Sequence, residues 1–100
     1  MGEPKYPLGR LLRKARSDKN LSLSQVAQQL SAAGYLDKSG RTINGSGAVV
    51  GSWELGMTFP NFDELPLIAR TLSIPANELD EKYRESVALH SQDKVPRRAS

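Results

Sequence analysis

The sequence contains no cysteine and a single histidine, His90. Disulfide staples and thiolate metal sites are therefore excluded, and one histidine cannot build a histidine-rich one. Catalytic triads and cysteine nucleophiles lack their parts for the same reason. No enzyme activity, no metal and no cofactor are expected. Long apolar runs are also missing: nothing comes near the roughly 18 successive apolar residues of a membrane span. The opening stretch MGEPKYPLGRLLRK has neither the apolar segment nor the small-residue cleavage site of a secretory signal. A cytoplasmic protein is the expectation, with no membrane contact and no evident small-molecule ligand.

What is present is ordinary for a globular chain: 100 residues, 38% hydrophobic and 25% charged, enough for one domain and a tail. The net charge of +3 is unevenly spread. Residues 1–60 hold eight basic side chains (Lys5, Arg10, Arg13, Lys14, Arg16, Lys19, Lys38, Arg41) against four acids, and residues 61–100 hold six against seven. That asymmetry suits either a basic face turned to a polyanion or a solvated basic helix.

Leu8, Leu11, Leu12 and Ala15 stand at i, i+3, i+4 and i+7, which predicts a helix over Pro7 to Lys19. Ser22 or Ser24 can cap a second helix with Val26, Ala27 and Leu30 inward; Gly34 ends it, with Tyr35 as the apolar contact of the cap. YLDKSGRTINGS (35–46) has no helical period and reads as a loop, with a hairpin turned at Asn44 and Gly45 as the alternative. Ser46 then caps a third helix, Val50 and Trp53 face inward, and Gly56 stops it. Asn61 caps a fourth, carrying Leu65, Ile68, Ala69 and Leu72, whose first turn Pro66 should loosen. Pro75 opens a fifth, in which Leu79, Tyr83 and Val87 form a stripe for the core or for a dimer. The domain is thus expected over 7–90, between an arm (1–6) and a disordered basic tail (91–100) whose RRAS end resembles a kinase site at Ser100. The predicted fold is all-α, with five helices.

LGRLLRKAR (8–16), NLSLSQVAQQL (20–30), VVGSWELG (49–56) and PNFDELPLIARTLSIPANEL (60–79) stand in the order of the lambda-repressor-like, XRE-type helix-turn-helix family, which the chain resembles. AVVGSWELG is also similar to the recognition-helix region of an actinobacterial developmental regulator. The resemblance implies a bacterial or phage transcription regulator in the repressor role, whose partner is a double-stranded DNA operator bound as a homodimer. Helix 2 would lie over the DNA backbone and helix 3 in the major groove. Arg16 and Glu54 would form a structural ion pair. The groove-facing positions would be Ser46, Gly47, Ala48, Gly51, Ser52 and Leu55, too small to read bases well. Ser24, Gln25, Gln28, Thr58 and Asn61 are candidate phosphate contacts. The long segment between helices 2 and 3 departs from the family's short turn, and there Lys38 is a candidate phosphate contact and Arg41 and Asn44 candidate base contacts.

Two other readings remain. GSGAVVG (45–51) is similar to a nucleotide-binding glycine loop, but no βαβ unit surrounds it and no GK[ST] follows. A protein-interaction module of the same fold, such as an antitoxin or antirepressor-like partner, is compatible with the small residues of helix 3.

Overall fold

Proline at the start of a helix gives up no hydrogen bond, because the first amides have no partner inside the helix. In the computed structural model, which describes residues 4–43 and 45–94, Pro7 fills this role in α1 (Pro7–Asp18). The next amide is satisfied from the far end of the chain: Leu8 N–H donates to the buried Ser86 hydroxyl at 2.8 Å. Leu8 and Leu12 are buried, with Leu11 and Ala15 packed at their edge.

Helix α2 (Leu23–Ala32) is capped by Ser22, not Ser24. The Ser22 hydroxyl accepts from Gln25 N–H, and the Gln25 side chain accepts from Ser22 N–H, so two orphan donors are met reciprocally. Gly34, at φ 96°, ends the helix, and Tyr35 N–H reaches back to the Leu30 carbonyl at 2.9 Å. The same closing bond recurs after α1 (Leu21 to Arg16, 3.0 Å), after α3 (Met57 to Ser52, 2.9 Å) and after α4 (Ile74 to Ala69, 2.9 Å). Asn20 and Ser73 take the left-handed conformation for it without being glycine.

Helix α3 (Ala48–Leu55) buries Val50, Trp53 and Glu54. The fourth helical segment is divided. Asn61 caps a 3-10 turn, Phe62–Glu64, and α4 (Leu65–Leu72) starts only afterwards. Pro66 is the reason: its nitrogen has no N–H for the hydrogen bond a continuous helix needs at its fifth residue, and the split leaves it in the tolerated first turn. Helix α5 (Ala76–Lys94) is the longest.

Side chains from all five helices, with Tyr35, Ile43 and Ile74, form one core. α1 packs on α5 and α3, and α2 on α3 and α4. The architecture is all-helical: the described residues contain five α-helices and no strand, only an isolated antiparallel bridge between Leu36 and Thr42. The radius of gyration, 13.7 Å, matches the about 13 Å of a compact 100-residue domain. No helix among the described residues is long and apolar enough to cross a membrane.

Two sequence expectations need correction. Within the supposed arm, Pro4 and Tyr6 are buried. Tyr6 lies tilted against Phe59 and edge-on to His90, and its hydroxyl donates to Asp93 at 2.7 Å. Within the supposed tail, 91–94 continue α5; 1–3 and 95–100 lie outside the described residues. Of the two roles open to the Leu79, Tyr83 and Val87 stripe, the core takes Leu79, which is fully buried, and Tyr83, which packs on Phe59 and Phe62.

Candidate nucleic-acid interface

The orientation of α3 is set from its buried side. Glu54 is 2% exposed, and an isolated buried carboxylate would be costly. Arg16 compensates it: Nε donates to Oε2 at 2.6 Å and Nη2 to Oε1 at 3.0 Å. The remaining Arg16 nitrogen, Nη1, donates to the Leu21 carbonyl at 3.1 Å, tying the pair to the turn after α1. Arg13 adds a second cation, Nε to Oε1 at 3.2 Å, which the sequence reading missed. The hydrogen bond to Glu54 outweighs burial and raises the Arg16 pKa. Arg13 and Arg16 thus serve the fold.

Two glycines bring backbones together around α3. A β-carbon on Gly9 would overlap the Glu54 carbonyl, so α1 crosses α3 at van der Waals contact. Gly47 precedes α3 at φ 90°, and a β-carbon there would lie 2.6 Å from Ser24 N and 2.7 Å from the Leu23 carbonyl carbon. Gly47 is buried against the start of α2. Its expected place in the groove is therefore a correction: it faces α2 because only a residue without a side chain fits there.

The other expected base contacts fare differently. Ala48 and Leu55 are exposed and share with Ser52 one stripe at i, i+4 and i+7. Ser52 is half-buried, its hydroxyl donating to the Val49 carbonyl at 2.7 Å and lying 2.6 Å from the Thr58 hydroxyl. Gly51 is half-buried with the Leu23 side chain over it. Ser46 is exposed, but Gly47 holds the cap position; the Ser46 hydroxyl accepts from Ala48 N–H only at 3.4 Å. Asn44 lies outside the described residues.

Among the expected phosphate contacts, Asn61 is a correction. Its Nδ2 donates to the Leu36 carbonyl at 3.1 Å and the Asp37 carbonyl at 3.4 Å, while its Oδ1 accepts from Asp63 N–H at 3.1 Å. Every polar group of that side chain is engaged in the fold, so none remains for a phosphate. Gln25 spends its oxygen in the capping box. Ser24 Oγ donates to the Ser46 carbonyl at 3.4 Å. Gln28, Lys38 and Thr58 are exposed.

The segment between α2 and α3 is an ordered turn. Asp37 N–H donates to the Arg41 carbonyl at 2.8 Å, and Gly40 N–H to the Asp37 carbonyl at 2.9 Å. Inside the turn the Asp37 carboxylate accepts from Ser39 N–H (2.9 Å), Ser39 Oγ (2.6 Å) and Arg41 N–H (3.0 Å). The Ser39 hydroxyl, then the Arg41 amide, hold this carboxyl below its ordinary pKa. This turn around 37–41, closed by the Leu36–Thr42 bridge, was not foreseen from the sequence, and the hairpin alternative across Asn44 and Gly45 is not realised, because Ala48 and Val49 belong to α3. Its base enters the core through Tyr35, tilted on Trp53 at 5.4 Å between centroids, and Ile43. The Tyr35 hydroxyl accepts from Asn61 N–H at 2.8 Å, and burial pushes its pKa up to about 12. An open groove of about 550 Å³ separates Lys38 and Ser39 from Val49, Met57 and Thr58.

No group of His, Cys, Asp and Glu among the described residues could hold a metal ion. Neither family models, curated proteins nor solved structures give a significant match to this chain.

Proposed function

We propose that the chain is a sequence-specific double-stranded DNA-binding regulator of the lambda-repressor-like helix-turn-helix type, with α3 as the element that enters the major groove. The observation carrying this reading is the two-sided anchoring of α3. Arg16 grips its inner face through Glu54 and Gly47 seats its start on α2, while Ala48, Ser52 and Leu55 stay on the outer side. A short helix fixed to the body by one face and clear on the other is the shape a major groove admits. Small outer side chains let the backbone approach a base-pair edge closely, and Ala48 can touch a thymine methyl.

Selection of duplexes from a random pool by the full chain tests this. One enriched site is expected, with affinity falling steeply between low and moderate salt as counterions are released. Failure to enrich any duplex, or binding that ignores salt, rejects it. The second reading, a protein-interaction module, is favoured by Leu55 and Met57, which are 45% and 69% exposed at the end of α3; salt-independent association with a protein would support it.

A further inference from the structure

An outer α3 face of alanine, serine and leucine supplies little of the charge that duplex affinity requires. Of the eight basic residues in the first 60 positions, four are paired with acids within the chain. Arg13 and Arg16 neutralise Glu54, Lys5 is 3.4 Å from Asp93, and Lys14 is 3.1 Å from Asp18. Arg10 and Lys19 are exposed outside such pairs on α1 and just after it, and the hairpin between α2 and α3 carries the other two, close together in one turn. Lys38 and Arg41 are both exposed, and neither side chain lies within ion-pair distance of an acid among the described residues.

Their mounting is rigid on both sides. Asp37 organises the tip with three accepted hydrogen bonds, Asn61 holds the carbonyls of Leu36 and Asp37, and Tyr35 and Ile43 root the base in the core beside Trp53. The tip also stands across a groove from Thr58, whose hydroxyl touches Ser52 of α3. A cationic hairpin fixed to the same body as α3 loses little conformational freedom on binding, so its charges act at small entropic cost.

From this we infer that the 36–42 hairpin is a second DNA-contacting element, with Lys38 and Arg41 on sugar-phosphate oxygens of the strand flanking the groove that α3 enters. The inference rests on the DNA-binding reading above. The guanidinium can take two phosphate oxygens in one plane and the ammonium acts as a point charge. Asp37 is a positioning residue: it touches no DNA and shapes the turn that presents both cations.

The test uses the full chain, the duplex recovered by selection and a random duplex of equal length, titrated over a salt series. Lys38→Gln with Arg41→Gln should lower the magnitude of the salt slope by roughly 1.8, about 0.9 per phosphate lost, and weaken both duplexes roughly ten- to a hundredfold near 0.1 M salt. Asp37→Ala adds positive charge yet should weaken both duplexes, because the turn no longer holds its shape. Thermal denaturation of each variant establishes that it is folded. An unchanged slope in the double variant overturns the inference while leaving α3 as the DNA element. A loss confined to the selected duplex overturns it in favour of base reading by Arg41. Tighter binding by Asp37→Ala overturns the role of the rigid turn, and wild-type protein that binds no duplex overturns both the function and the hairpin's part in it.

Discussion

Arg16 meets the carboxylate of Glu54 side-on, Nε and Nη2 covering one oxygen each, so a single guanidinium edge satisfies a charge that is 2% exposed. Glu54 sits on α3 and Arg16 on α1, and the pair fixes the one against the other.

Removing Arg16 leaves the buried Glu54 carboxylate with only the single Arg13 contact, and removing Glu54 leaves two arginines without their anion; the cost is about 3 kcal/mol. Arg16→Met and Glu54→Ala should each lower the melting temperature by more than about 10 °C. Arg13→Ala should cost much less, about 1 kcal/mol or below, since its side chain is 39% exposed and Arg16 remains. Joint replacement by Met and Leu should recover part of the loss, because no charge is stranded. Calorimetry on the four variants checks this; additive losses in the double variant would contradict it.

Gly47→Ala should be more disruptive than its single carbon implies. The added carbon meets backbone of α2 and carries an unfavourable φ. A loss of roughly 2 kcal/mol is expected, with duplex binding reduced beyond what partial unfolding explains. Gly34→Ala, where the space around the position is open, should show only the smaller penalty of the left-handed conformation, about 1 kcal/mol. Equal losses at the two positions would refute the close α2 and α3 contact.

Tyr35 makes stability fall in alkali. Its folded pKa, about 12, lies above the unfolded value near 10, so the unfolded chain ionises first. Its contribution is complete below about pH 10 and is lost as pH rises toward 12, roughly 2–3 kcal/mol over that window. Burial also raises Tyr83, and the bond to Asp93 raises Tyr6, both adding in the same direction. Tyr35→Phe should flatten the largest part of this decline in denaturant titrations between pH 9 and 12, and an unaltered decline would count against it.

Ser73 holds φ 57° at the end of α4 without being glycine. Ser73→Gly should therefore stabilise the chain by about 0.5–1 kcal/mol, visible as a rise of several degrees in the melting temperature. A lower melting temperature would show that the serine side chain contributes something the geometry does not.

Local signals carried most of the helical layout. The spacing of Leu8, Leu11, Leu12 and Ala15 set α1, and Gly34 followed by Tyr35 set the end of α2. These depend on residues three to five apart, which a sequence displays directly. The 35–46 segment was harder to read: its tip is shaped by local bonds to Asp37, but its base is held by Asn61, 24 and 25 positions on, and by core packing of Tyr35 and Ile43. Tyr6 looked like part of an arm for the same reason: its ring and hydroxyl partners are Phe59, His90 and Asp93. At the candidate site, the small α3 residues were legible by type. Which of them point outward was not, since burial of Gly47 and Gly51 follows from how closely α2 approaches.

The clasp of Tyr6 and Lys5 on Asp93 joins positions 87 and 88 residues apart, and it gives the chain the topology of a nearly closed ring. Anything fused ahead of Lys5 or behind Asp93 must leave the domain from the same corner. A short peptide bridge between those points, with a new opening cut between Ser39 and Gly40, would preserve the order of all five helices around the ring. Such a permuted chain should fold with the 36–42 turn severed, separating what the turn does from what the helices do.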